Sequence, residues 1–471
     1  MSARTLSLTL LSHTNVGKTT LARTLLRKDV GEVLDEAHVT DEATRHLLLE
    51  GPAGERLELW DTPGFGDSLR LLKTLRDRDE PLQWIEAQAF DRHAQRALYC
   101  DREALLGVRD ESDVVLYLVN ASERPEDAGY VDSELELLSW VDRPVLLLLN
   151  QTGPPRSLEL ADDEERWRAA TSKWRIVRGV LGLDAFTRCW VQEGRLFEEV
   201  RRVVGEEQRE LAGTLLEAWR RDRLAVFRES MELFAGELLR AAADEEPVVE
   251  GAWGNDRTQA MRALAARMEE GSSSVLDRLI ALHGIEGRGS VEFRSAVDDF
   301  KSRHERLAPK RWGLLGGVAT GLVTGLGADL ASGGLSLGGG MILGGLAGGF
   351  GAAGIAKAYN TVRGDDEARL RWSGEVLNRS AGHLLLRYLA VAHFGRGRGS
   401  WREREVPSFW RRAVSEAVES RSVYFKGVWK EARGQTSEEE LRALRARLVP
   451  LFSGAAREVL SGFYPDASHL I

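Results

Sequence analysis

The octapeptide Ser12-His13-Thr14-Asn15-Val16-Gly17-Lys18-Thr19 constrains this chain more than any other stretch. An apolar run, TLSLTLL (5–11), leads into it, and an amphipathic segment, TTLARTLLRK, follows it. Strand, glycine-bearing turn and helix in that order make a P-loop. Backbone N–H groups at such a turn and at the helix N-terminus attract phosphate oxygens. Lys18 is expected to neutralise the β- and γ-phosphates, and the Thr19 hydroxyl to bind Mg²⁺. Ser12, Val16, Gly17 and Thr20 complete the expected cradle. Ser12 stands where the usual first glycine would be, and it can make the turn if its backbone angles are ordinary.

A second motif, Asp61-Thr62-Pro63-Gly64, ends the apolar run RLELWD (56–61). An aspartate at the carboxyl end of a parallel strand can reach Mg²⁺ through water, and a glycine N–H can approach a γ-phosphate closely. Further apolar runs, DVVLYLVNA (113–121) and PVLLLLN (144–150), read as buried parallel strands, and AFTRCWV (185–191) as a weaker one. The segments between them have helical spacing. The fold class expected is therefore α/β, a three-layer P-loop NTPase domain with a mostly parallel sheet.

The rest of the chain reads as all-α. The expected organisation is a P-loop domain over 1–200, a helical domain over 201–311, a glycine-rich apolar hairpin over 312–356 and a helical region over 357–471. Within 312–356 the one charged residue is Asp329, and glycine recurs every fourth position at Gly313, Gly317, Gly321 and Gly325, then at Gly340, Gly344 and Gly348. Glycines four apart share a helix face and let two backbones approach, which is how helices pack without a hydrophobic drive between them. Lys310 and Arg311 precede the segment, and Lys357 and Arg363 follow it. That charge placement suits a hairpin entering a membrane from the cytoplasmic side. A buried hairpin within the helical domain is the alternative.

Composition narrows the partners. Lys and Arg total 64 against 73 Asp and Glu, a formal net charge of -9. That disfavours a general nucleic-acid binder. The two cysteines, Cys100 and Cys189, form no CxxC pair, so a disulfide scaffold and a zinc site are not expected, and a reducing compartment fits.

The motifs Asn15-Val16-Gly17-Lys18-Thr19 and Asp61-Thr62-Pro63-Gly64 resemble those of the bacterial translation-factor-like small GTPases, especially the ribosome-assembly and tRNA-modification group. The resemblance covers about residues 4–200. It implies GTP as ligand and substrate, Mg²⁺ held by Thr19, Asp61 and a threonine of a mobile loop, and a γ-phosphate met by Gly64. Thr40 is favoured as that threonine, with Thr44 as the rival. Lys18, Thr40 and Gly64 are thereby the expected catalytic set. Asn15 occupies the position that cation-dependent relatives use to hold K⁺. The fourth motif, expected as Asn-Lys-x-Asp, reads Asn150-Gln151-Thr152-Gly153. Asn150 and Gln151 are expected to face the base, but the guanine-reading aspartate is missing, so guanine rests on the resemblance alone. A fifth motif is expected after 185–191, near Gln192-Glu193. Phe65 follows Gly64 where Ras-like proteins carry a water-orienting glutamine, and a phenyl group cannot orient water by hydrogen bonding. The charged helical insertion 67–112 could supply a substitute or form a partner surface.

The overall order also resembles bacterial two-part proteins that join such a GTPase domain to a C-terminal domain of unknown function. The leading reading is a GTPase switch on the cytoplasmic face of the inner membrane, engaging it through 312–356. Protein partners through the helical half and an oligomer are left open. The alternatives are a soluble ribosome- or RNA-assembly GTPase and a nucleotide-binding scaffold without significant turnover.

Overall fold

A computed structural model describes residues 4–14, 16–27, 43–152, 157–248, 255–285, 359–363, 368–395, 407–433 and 437–471. The expected hairpin 312–356 and the greater part of its flanks lie outside these residues.

The chain forms two compact units. The first comprises 1–224 with 393–398 and 463–471, and the second comprises 225–392 and 399–462.

The first unit is built on a six-stranded sheet. Its strands are β1 (Thr5–Ser12), β2 (Thr44–Glu50), β3 (Arg56–Asp61), β4 (Val114–Asn120), β5 (Val145–Asn150) and β6 (Val177–Gly182), in the order β2-β3-β1-β4-β5-β6. All pairings are parallel except β2 with β3. Every residue of β5 is buried, as are all but the last of β4. Strands covered on both faces need apolar side chains at successive positions, which is why VVLYLV and VLLLL are continuous runs rather than alternating ones. The intervening helices are α1 (Lys18–Leu26), α2 (Ser68–Leu75), α3 (Pro81–Glu86), α4 (Arg96–Glu111), α5 (Gly129–Val141), α6 (Ser157–Thr171) and α7 (Trp190–Val203). Helices α2 to α4 are the charged insertion 67–112. Leu71, Leu72, Leu75, Ile85, Ala104, Leu105 and Val108 give it an apolar face in the domain core.

Two expectations change here. Residues 185–191 are not a strand. The strand is Val177–Gly182, and Trp190 opens α7. The Gln192 side chain accepts the Cys189 N–H at 3.0 Å, a reciprocal cap that starts a helix at this point. The loop after the last strand is therefore 183–189, and Gln192 and Glu193 lie in the first turn of α7, not in a fifth motif. Thr44 also begins an antiparallel strand that was not expected, β2, which pairs with β3 in the register Thr44 to Asp61.

Residues near the C-terminus complete this unit. A Cβ added to Gly194 of α7 would lie 2.7 Å from Leu470 and 2.7 Å from Trp219. His393 Nε2 lies 2.8 Å from the Tyr464 hydroxyl, and Arg220 donates to the His469 carbonyl at 2.9 Å.

The second unit is helical, as expected. Half of α8 (Glu206–Ala243), from Ala225 on, lies in it, with α9 (Asn255–Leu282), α10 (Gly374–Ala392), α11 (Ser408–Glu419), α12 (Ser422–Ala432) and α13 (Glu438–Phe463). Phe234, Phe425 and Phe452 pack edge to face at its centre. It also carries three short antiparallel strands absent from the all-α expectation: β7 (Glu245–Val248), β8 (Tyr359–Arg363) and β9 (Ala368–Trp372), in the order β7-β9-β8. Among the described residues, no helix is long and apolar enough to cross a membrane.

Leu148, fully buried in β5, tests whether the sheet carries the first unit. Leu148→Ala should cost about 2–5 kcal/mol, read as a lower urea midpoint of the full chain.

Candidate functional site: a P-loop tied to its neighbouring loops

The site lies where β1, β3, β4 and β5 end. Ser12 is the last residue of β1, fully buried, and has no positive φ, so serine costs nothing at that position. Gly17 does require glycine. Its φ is 98°, and a Cβ there would lie 2.8 Å from Asn150 Nδ2. Lys18, Thr19 and Thr20 form the first turn of α1. Val16 is buried, and its carbonyl accepts from Asn150 Nδ2 at 2.8 Å.

Thr19 donates its hydroxyl to Asp61 Oδ2 at 2.9 Å. The other Asp61 oxygen, Oδ1, is buried without a hydrogen-bond partner. A hydroxyl and a carboxylate with one unsatisfied oxygen form a hard-oxygen donor pair of the kind Mg²⁺ takes alongside phosphate and water. The residues thus fit the metal that the fold implies. Burial pulls the Lys18 ammonium below its ordinary pKa, and Asp61 opposes that shift. Burial likewise raises Asp61, against Lys18 and the Thr19 hydroxyl. Both groups are set to gain from a ligand carrying charge. A Cβ added to Gly64 would lie 3.1 Å from Lys18 Nζ and 3.2 Å from the Ser12 carbonyl, so the main chain here passes close to the ammonium.

Phe65 is fully buried in the core, and its peptide is tied to the P-loop. Its N–H donates to the Ser12 carbonyl at 2.9 Å, and its carbonyl accepts the Thr14 N–H at 3.0 Å and the Thr14 hydroxyl at 2.7 Å. Beside this bridge Glu134 of α5, fully buried, accepts from His13 Nδ1 at 2.7 Å, Tyr117 at 2.6 Å and Ser68 at 3.2 Å. The Glu134 hydrogen bond holds His13 above its ordinary pKa, and His13 stacks on Tyr130.

Asn150 is the hinge pin of the base side. Its amide donates to Val16, and its Oδ1 accepts the Ala185 N–H at 2.9 Å, joining the P-loop to the loop after β6. Gln151 is exposed, with a φ of 63°. Thr152 donates to Asp184 Oδ2 at 3.4 Å. Asn15, Thr40 and Gly153 lie outside the described residues. The rival Thr44 is exposed on β2, its hydroxyl 3.1 Å from His46 Nε2.

Sequence reading passed over Asp101, Glu134, Tyr117 and Asp184. Asp184 was masked by the misplaced last strand. Asp101 and Glu134 sit among many helical acids, where no local signal separates a buried carboxylate from a solvated one.

Residues 8–151 match the family model described as 50S ribosome-binding GTPase, so the N-terminal domain is a P-loop GTPase domain. Residues 174–449, more than half of the chain, match the model described as domain of unknown function DUF3482. The chain belongs to the DUF3482 family. No curated protein matches this DUF3482 chain. Solved structures similar to it include Era in complex with MgGDPNP and a segment of 16S ribosomal RNA, at 16% identity, 43% of this chain, 58% of that chain and a TM-score of 0.31. The DUF3482 chain thus spans little more than half of that structure's length. An Aquifex aeolicus Era variant bound to GDP and aluminium fluoride matches at 14% identity over 58% of this chain and 90% of that one, with a TM-score of 0.28. A probable GTP-binding protein engB matches at 13% identity over 42% and 97%, with a TM-score of 0.27.

Gly17→Ala should combine left-handed strain of about 1–2 kcal/mol with a clash against Asn150. Gly54→Ala carries a comparable φ, 83°, with nothing within 4 Å. The first variant should lose nucleotide affinity and more thermal stability than the second, as isothermal titration and a melting curve would read.

Proposed function

We propose that this protein is a GTP-hydrolysing switch whose helical half engages the cytoplasmic face of a membrane through residues 312–356. The observation that carries the catalytic part is the convergence of Lys18, Thr19, Asp61 and Gly64 at the strand ends, with the unsatisfied Asp61 oxygen beside the Thr19 hydroxyl. Lys18 would take the phosphate charge, and Thr19 and Asp61 would hold Mg²⁺, which supplies charge neutralisation at the transferring phosphoryl group. Gly64 would offer its N–H to the γ-phosphate. The GTPase family match supports guanine as the base, although Gly153 stands where the guanine-reading aspartate would be, with Asn150 joining the P-loop to the loop after β6 by its two bonds. Asn15 suits a K⁺ ion that offsets developing charge, which the buried Phe65 side chain cannot do.

The membrane part rests on sequence: one charge in 45 residues, basic flanks and the four-residue glycine spacing. Glycine costs about 1 kcal/mol relative to alanine in a water-exposed helix, so a soluble helix has little reason to use so many. Partners of the helical half would then be set by nucleotide state. The family description as ribosome-binding favours a second reading, assembly work on a ribosomal particle, against which the net charge of -9 weighs.

Phosphate release should be faster from GTP than from ATP and faster in potassium than in sodium. Lys18→Ala should abolish triphosphate binding in a folded chain. A folded chain that binds GTP without releasing phosphate would instead be a scaffold.

Cell fractionation of the full chain and of a version lacking 312–356 tests the membrane reading. The full chain should partition to membranes and bind liposomes, and the deletion should not. Both remaining soluble with nucleotide present, and neither binding liposomes, would end that reading.

A further inference from the structure

The turn after Asp61-Thr62-Pro63-Gly64 has its N–H groups claimed one by one. Phe65 donates to the Ser12 carbonyl of the P-loop. The next two, Gly66 and Asp67, both donate to one carboxylate, Asp101 of α4, at 2.6 Å to Oδ1 and 3.2 Å to Oδ2. Asp101 is fully buried, and it accepts these backbone N–H groups with both of its oxygens. A buried carboxylate costs several kcal/mol unless something satisfies it, and here two backbone donors do. Its helix belongs to the charged insertion and lies against the motif itself. A Cβ on Gly107, two turns along α4, would meet the Thr62 methyl at 4.0 Å. Ala104, Leu105 and Val108 of the same helix share the core with Phe65.

We propose that Asp101 is a positioning residue for GTP hydrolysis, its carboxylate fixing the peptides of Gly66 and Asp67 so that the Gly64–Phe65 main chain is held at the γ-phosphate side of Lys18. This rests on the GTPase reading and adds to it the residue that the insertion contributes. Phe65 cannot orient water, but its burial and the two anchored peptides behind it make the turn rigid. Rigid placement of an N–H donor counts because donors stabilise developing charge only at short, fixed distance. The carboxylate does not touch substrate. It acts through the main chain, and it requires its charge. Burial lifts Asp101 to about 7, against the pull of the Gly66 and Asp67 N–H groups. Glu134 from α5 and Asp67 from the turn push it the same way, and His13 of the P-loop pairs with Glu134 close by. Below that pH the protonated acid is a weaker acceptor, and the turn is held less firmly.

The test is Asp101→Asn in the full chain, with Asp101→Glu alongside, assayed for GTP turnover and for GDP affinity from pH 5.5 to 8.5 (a range of about one and a half units either side of the shifted group). The unsubstituted chain should show kcat rising with pH through a midpoint near 7. Asp101→Asn should lower kcat by about tenfold to a hundredfold and flatten that limb, because an amide cannot accept both N–H groups as a charge does. GDP affinity and the melting temperature should stay close to those of the unsubstituted chain, since GDP has no γ-phosphate to be positioned. Asp101→Glu should restore part of kcat and the pH limb. An unchanged kcat in Asp101→Asn would overturn the role, as would an equal loss of GDP affinity and turnover in a destabilised variant. Absence of turnover in the unsubstituted chain would overturn the GTPase reading itself, and this role with it.

Discussion

The peptide of Phe65 is hydrogen-bonded on both sides to the P-loop, and the geometry of the site follows from that bridge. Its N–H meets Ser12, and its carbonyl meets Thr14. Two loops that would otherwise move separately are joined at one residue, and the buried phenyl ring anchors the joint in the core. Asn150 makes the matching joint on the other flank, between Val16 and Ala185. The phosphate loop is thus pinned from both sides by bonds within the chain. Pre-organisation of this kind lowers the ordering cost of binding.

The strand framework of the first unit was legible in the sequence, for a physical reason. Strands covered on both faces need apolar side chains at successive positions, so β4 and β5 stand out as continuous runs and β1 and β3 as mostly apolar ones, and the P-loop and Asp61-Thr62-Pro63-Gly64 sit at the ends of β1 and β3. What was not legible depended on contacts distant in sequence. Thr44–Glu50, with the pattern TRHLLLE, has a polar start and little burial, so the edge strand β2 looks like loop. Val177–Gly182 contains Arg178 and two glycines, and the more apolar AFTRCWV next to it drew the assignment away. The small sheet of the second unit is held by residues more than a hundred positions apart, Glu245 against Arg369 and Arg371, which no local window can pair.

The same limit applied to the site. Lys18, Thr19, Asp61, Gly64 and Asn150 announce themselves because their spacing is fixed by the turns they occupy. Phe65 could be read only as the loss of a glutamine. Its position in the core, and the carboxylate of Asp101 behind it, emerge when a helix thirty-five residues downstream is laid against the turn. Ser12, which read as a departure, is neutral because the backbone there is still extended strand.

The first unit is discontinuous in the chain. Leu470 fills the space above Gly194 beside Trp219, and Tyr464 meets His393. During synthesis, the nucleotide domain therefore emerges hundreds of residues before the last pieces of its own packing. Until 463–471 leave the ribosome, Gly194 of α7 and Trp219 of α8 lack the contact with Leu470. Domains usually fold as units in the order they are made. Here the sheet of the first unit is made early, and the contacts that 463–471 add to it come after the intervening helical half.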